Sequence, residues 1–467
     1  MLHNVLCYIN LKIVPSRSKN KNNVELKSDI LENIIIYKIE FNIYLKILMN
    51  INQYHHYIPR FILRNFSNDK NKEDIKIYNI NEDEINISKI KKSYGIKNMY
   101  KDLNEKDVMY VEKKLSKIES ICANIINKIK KEDNIININR EDVENIKKFF
   151  FIMTYRHKSR RDQYLNDNFD FLTKKEINDF MKKQKIKTLK DVWLNNIKQI
   201  LDTDHEKIQD NEEIFFIIRN DYFINCLGTF ISIWKIEDES EFILTDNCFS
   251  VFEGAYPIVI YHSFFIVSPK IVIVFANIIF KKGHDSKLYN KKFGVKPTLF
   301  NESFGTEPNV EYFVSPKIPN KKDNFVYNIK KINKNTTYLV NSLFLNEIKN
   351  SLTYISEKFL YESITKYYGI DLSYDKKDFT KLKEILNKKL NIQTSTQSSS
   401  NILKENKINI IDLLGSINKD DFNKIIEYSK NKNVLKDESN IDEYISLWNH
   451  MLDIYPFINQ KERIQFT

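Results

Sequence analysis

Residues 258–280 are almost wholly apolar, and what they can become decides which folds are open to the chain. A membrane helix needs about 20 uninterrupted apolar residues. This run instead carries His262, Pro269 and Lys270 and is dense in Val, Ile and Phe. Ser268-Pro269-Lys270 therefore reads as a turn joining two buried strands, Ser263–Val267 and Ile271–Phe275. Strand character extends over Ile214–Phe280, which is the expected sheet, and two shorter strands are marked by Ile75/Ile77 and Ile85/Ile87.

Helical spacing flanks that sheet. Over Asp107–Lys130, residues Val111, Leu115, Ile118, Cys122, Ile125 and Ile129 fall on one face. A second helix starts at Asn139, a good N-cap followed by Glu141 and Asp142, with Val143, Ile146, Phe150 and Met153 turned inward. The two predict an antiparallel hairpin across Asn134–Asn139. Further helices are expected at Lys174–Lys185, Leu189–Leu201 and Thr336–Tyr361. The fold class is α+β: a mostly antiparallel sheet packed against a helical hairpin layer, with a helical C-terminal appendage.

Domain boundaries follow composition. Residues 1–48 form a poorly patterned leader containing the polar run Ser16–Asn23, and Met49, just ahead of the first dense motif, is a candidate biological start. Residues 49–365 are the α+β core. Residues 366–467 form the appendage, broken by Gln/Ser/Thr near 393–400 and holding short helices at Lys407–Ser416, Asp420–Lys430 and Ile441–Ile454, which are suited to a protein partner. With 467 residues, 42% of them hydrophobic, a large packed core is available. The net charge of +11 is spread as alternating Lys and Glu, the pattern of a solvated surface rather than a nucleic-acid stripe. Cys7, Cys122, Cys226 and Cys248 show neither zinc-knuckle nor disulfide spacing, and no secretory leader is evident, so an intracellular, cytoplasmic protein with no membrane partner is expected. The chain has no GxSxG, P-loop, GxGxxG, HExxH or CxxC pattern, which sets aside the familiar serine hydrolase, nucleotide and zinc protease layouts.

Against this lysine background the arginines cluster. Five of nine arginines and three of eight histidines lie in Tyr54–Phe66 and Tyr155–Arg161. In a chain that otherwise uses Lys, clustered guanidinium groups point to positions needing a planar, five-donor fork for phosphate or carboxylate. In the first segment Arg60 and Arg64 are four apart, so they share a helix face, and His55 and His56 precede the helix start, where free N–H groups favour anions. In the second, Arg156 and Arg160 are also four apart, with Glu112 and Glu119 of the preceding helix as structural partners for Arg156. A third candidate is Thr245-Asp246-Asn247, which puts a carboxylate at the end of an apolar strand. The same residues read structurally as caps, ion pairs and an Asx turn.

These motifs resemble the domain-of-unknown-function family 4238. Its opening signature is similar to His56-Tyr57-Ile58-Pro59 and Leu63-Arg64-Asn65-Phe66. Its helix pair resembles Glu112, Glu119 and Arg156, with His157 and Lys158 where the family often has Thr or Pro. Its strand-end turn resembles Thr245-Asp246-Asn247, with Cys248 in place of Pro. Trp234 and Asn341 also fall at similar positions, and the resemblance spans about residues 52–355. It implies a boundary and a residue set, and no activity.

The sequence expectation is a phosphate-recognising, nucleic-acid-directed hydrolase. In it His56 acts as general acid/base, Asp246 as base or ligand to a divalent metal, and Arg64, Arg156, Arg160 and His55 bind the phosphodiester. The alternative is a non-catalytic binding protein whose Arg/His/Glu network is structural.

Overall fold

The computed structural model describes residues 53–102, 107–255, 259–278, 307–370 and 376–390. The chain enters at β1 (Tyr54–His56) and turns through α1 (Arg60–Leu63) and a 3-10 turn (Arg64–Phe66). Pro59 opens that turn with φ −57°, the value its ring imposes, and it has no N–H to leave bare. The hairpin β2 (Asp74–Asn79) and β3 (Glu84–Lys89) follows, and β4 (Gly95–Lys97) returns to pair antiparallel with β1.

α2 (Tyr110–Lys131) buries Val111, Leu115, Ile118, Cys122, Ile125, Ile126 and Ile129 as one stripe. β5 (Ile135–Asn139) leads into α3 (Arg140–Arg156), where the Asn139 side chain accepts from the Asp142 N–H at 2.7 Å. α2 and α3 pack on each other as the hairpin layer, and their connection is itself a strand. Then come α4 (Lys158–Leu165), α5 (Phe171–Gln184), α6 (Leu189–Asp202), α7 (Phe216–Tyr222) and a π-helical turn (Phe223–Leu227). Phe216–Leu227, expected as strand, is this helical stretch instead. Its helix is held from outside by Lys147, whose Nζ donates to Cys226 O and Thr229 O.

The main sheet contains β6 (Thr229–Ile236), β8 (Val251–Ala255), β9 (Val259–Ser268), β10 (Ile271–Asn277) and β13 (Lys330–Ile332), and between the first two lies the short β7 (Leu244–Thr245). Its order is β13-β6-β10-β9-β8, antiparallel except where β13 meets β6. Every residue of β10 is buried, as a central strand covered on both faces requires. α3 supplies one cover: Phe150 stacks on Phe265 at 4.4 Å and meets Phe275 edge-on at 5.8 Å. β11 (Asn309–Glu311) and β12 (Asn324–Asn328) join β5 in a small sheet. The fold is α+β with mostly antiparallel sheets.

Thr336–Tyr361, expected as one helix, is three elements: α8 (Lys334–Glu347), β14 (Ser351–Tyr354) and α9 (Glu357–Gly369). Tertiary pairing overrides local helical spacing here, because β14 fills the slot between β2 and β7 in the sheet β3-β2-β14-β7. α10 (Thr380–Lys389) is the last described element. The leader 1–48, the break at 393–400 and the three short helices expected beyond it lie outside the described residues. Among the described residues, no helix is long and apolar enough to cross a membrane.

A buried polar seam and the cavity beside it

β1 alternates its side chains, so His55 and Tyr57 leave one face and His56 the other. His56 Nε2 donates to Ile90 O at 3.0 Å, and burial lowers its pKa against that bond. His55 Nδ1 accepts from the Tyr100 N–H at 3.0 Å, which places the ring proton on Nε2. Its ring stacks on Tyr100 at 5.2 Å, and Tyr100 stacks on Trp193 at 5.8 Å. Burial, then the charges of Arg156 and His56, hold the His55 pKa down to about 4. Arg60 and Arg64 share a face as expected, but a carboxylate of the chain itself already sits between them: Glu73 lies 3.4 Å from Arg60 Nη2 and 3.0 Å from Arg64 Nη2.

Arg156 and Arg160 part company. His157 has φ −56° and ψ 151°, ending α3 and capping α4, where its Nδ1 accepts from the Ser159 N–H. The extended ψ re-aims the chain, so the arginines on either side do not share a face. Arg156 turns inward, 1% exposed, and donates to Glu119 Oε1 at 2.7 Å with its guanidinium over the Tyr100 ring. Glu112 lies close enough for Arg156 to act on it. Burial raises the Glu112 pKa, the Arg156 charge opposes that rise, and Glu119 adds to it. Arg160 instead faces a surface hollow.

Asp246 is 3% exposed and engaged by the loop before β14. Its Oδ1 accepts from Lys349 N–H at 3.0 Å, and its Oδ2 from Asn350 N–H at 2.9 Å and Asn350 Nδ2 at 2.8 Å. Its backbone carbonyl accepts from His157 Nε2 at 2.6 Å, and the His157 ring meets Tyr57 edge-on at 5.5 Å. The three motifs therefore do converge, with His55 and Arg156 meeting at the Tyr100 ring and Tyr57 on His157, which bonds the Asp246 turn. They meet as a packed polar seam between helix layer and sheets, not as an open cleft. Arg64 and Glu73 stand apart from it, on the half-exposed outer face.

Five polar atoms of the seam, His55 Nε2, Tyr100 Oη, Arg156 Nε, Thr245 Oγ1 and Asn247 Oδ1, are buried with no hydrogen-bond partner. His55, His56 and Asp246 each serve a different backbone segment, and among the described residues no group of three or more His, Cys, Asp or Glu is arranged to hold a metal ion.

The hollow beside Arg160 has a volume of about 580 Å³ and lies between α4 with its following turn and the segment after β7. It is lined by Thr154, Ser159, Arg160, Asp162, Gln163, Asn166, Asp167, Asn168 and Ser250. Thr154 Oγ1 donates across the gap to Phe249 O at 2.6 Å, and Ser159 Oγ lies 3.0 Å from His157 Nδ1. The seam thus fixes both walls.

Residues 54–407 match the family described as protein of unknown function (DUF4238). The chain belongs to the DUF4238 family. No curated protein and no solved structure matches it. Three residues of the seam in this DUF4238 chain carry no role in the sequence pattern: His157 stands only where the family often has Thr or Pro, Tyr100 lies in no motif, and Asn350 falls inside the helical spacing of Thr336–Tyr361. The HHY and TDN spacings mark where the seam begins and not what it touches.

Proposed function

We propose that the protein is a non-catalytic anion-binding protein, in which the Arg/His/Glu/Asp seam is scaffold and Arg160 is the binding cation. One observation carries this reading: of the five clustered arginines, Arg160 is the one left without a close carboxylate. Arg60 and Arg64 share Glu73, Arg156 holds Glu119 at 2.7 Å, and Arg161 holds Asp162 at 2.9 Å. Arg160 has the Gln163 amide oxygen at 3.0 Å and no carboxylate nearer than Asp221 at 4.0 Å. A half-exposed guanidinium in a concave wall is the natural partner of a phosphate or carboxylate oxygen.

A hydrolytic centre on His56 and Asp246 would need both groups to leave their present bonds. His56 Nε2 is tied to Ile90 O, and both Asp246 oxygens accept backbone N–H groups. Arg64, assigned to the phosphodiester, faces Glu73.

The test is thermal stabilisation by inorganic phosphate, since a ligand at 100 times its Kd adds about 2.7 kcal/mol. Phosphate raises the Tm of the wild type and of Arg64→Ala but not of Arg160→Ala. Equal stabilisation in Arg160→Ala removes the assignment. Metal-dependent cleavage of RNA or DNA that is lost in folded His56→Ala and Asp246→Ala restores the hydrolase.

A further inference from the structure

We infer that the Arg160 cavity recognises a phosphate monoester carried on a sugar, with Arg160 on the phosphate and the side-chain amides and hydroxyl on the ring hydroxyls. This rests on the anion-binding reading above and adds the class of ligand.

The chemistry of the wall selects the class. All nine lining residues are polar: three hydroxyls (Thr154, Ser159, Ser250), three amides (Gln163, Asn166, Asn168), two carboxylates and one guanidinium. A pocket for an apolar or aromatic ligand is lined mainly by apolar side chains around a few polar groups, and this one has the reverse make-up. At about 580 Å³ it is also larger than a bare phosphate needs.

The polar groups are available. Among the described residues the side chains of Asn166, Asn168 and Ser250 make no hydrogen bond to the protein, whereas Asp162 and Asp167 are neutralised by Arg161 at 2.9 Å and Lys174 at 3.0 Å. Uncommitted amides and a hydroxyl offer both donors and acceptors, which is what vicinal ring hydroxyls require. Among the nine lining residues the single cation is Arg160, which suits one phosphate and not a polyanion. No aromatic or aliphatic side chain lines the hollow, so a nucleobase would find no stacking surface. A free sugar phosphate therefore fits better than a nucleotide.

Calorimetric titration of the full chain separates the possibilities, with inorganic phosphate, ribose 5-phosphate, glucose 6-phosphate, ribose and adenosine monophosphate as probes. At least one sugar phosphate is expected to bind about tenfold or more tighter than phosphate, a factor that one or two added hydrogen bonds supply. Ribose alone gives no signal, and the nucleotide binds no tighter than ribose 5-phosphate. The Asn166→Ala/Asn168→Ala double variant, which alters two exposed side chains without partners, loses the sugar increment and keeps phosphate binding, while Arg160→Ala loses both. Phosphate binding with no sugar increment, an increment intact in the double variant, or a nucleotide about tenfold tighter than ribose 5-phosphate overturns the ligand class and leaves the anion site standing. Absence of any phosphate binding overturns both.

Discussion

Arg156 and Arg64 look alike in sequence, each in an Arg/His cluster with a second arginine four positions away, and the structure gives them opposite weight. The first is buried against Glu119, under the stacked rings of His55 and Tyr100, while the second shares a carboxylate with Arg60 at the solvent edge. Removing one partner of a buried ion pair costs about 3–5 kcal/mol because the other charge is left bare, and with Glu119 24% exposed the lower end of that range applies. Arg156→Ala is expected to lose that much, whereas Arg64→Ala should leave the melting temperature close to the wild type, since exposed pairs are screened by water. Tyr100 supplies a sharper check. Its hydroxyl is buried without a partner, so Tyr100→Phe removes an unsatisfied group at constant shape, and the expected Tm is unchanged or raised. A Tyr100→Phe protein that unfolds earlier than the wild type shows that the hydroxyl has a partner in solution.

Among the elements, the turn after β7 and the strand β14 form one unit. The Asp246 carboxylate accepts the N–H groups of Lys349 and Asn350, and the Asp246 N–H donates to Ser351 O at 2.9 Å, so the turn sets where β14 begins. Asp246→Ala should cost about 1–3 kcal/mol for each backbone donor left bare, and Asp246→Asn, which keeps one acceptor oxygen, should cost less. Denaturant midpoints of the two variants measure this; equal midpoints for wild type and Asp246→Ala refute the clamp. This is also where sequence reading stopped short. The Thr245-Asp246-Asn247 turn was legible because an apolar strand ending in Asp-Asn is a local pattern. Its partner was not, because Ser351–Tyr354 has helical neighbours on both sides and becomes a strand only through β2 and β7. The α2–α3 hairpin was legible throughout, since its apolar stripe and Asn139 cap are encoded within the helices themselves. The break at His157 was not: a tight helix-to-helix join at a His depends on the carbonyl of Asp246, 89 positions along the chain.

Taken whole, the molecule hides neutral histidines, and that makes its stability depend on pH. Burial, then neighbouring cations, sets His55 at about 4 and His205 at about 3, and burial lowers His157, against an ordinary value of 6.5. Folded pKa values below unfolded ones mean that the unfolded chain takes up protons the folded chain refuses. The contribution is therefore complete above pH 6.5 and is lost as pH falls through 6.5 towards 4. The urea midpoint is expected to be lower at pH 4.5 than at 7.5, with a smaller gap in His55→Gln; a gap of the same size in that variant removes His55 from the effect. The α+β class followed from apolar spacing alone. What spacing could not give was depth: whether Arg, His and Asp meet in a cleft or in the interior depends on Tyr57, Tyr100, Trp193 and β14 closing over them.

Equilibrium denaturation of Arg156→Ala beside the wild type, with phosphate binding measured on the same samples, bears most directly on whether the seam is scaffold. The expected result is a fall in stability at the lower end of about 3–5 kcal/mol with phosphate still bound through Arg160 by whatever fraction remains folded. An unchanged denaturation midpoint together with lost phosphate binding would contradict it and return Arg156 to the ligand.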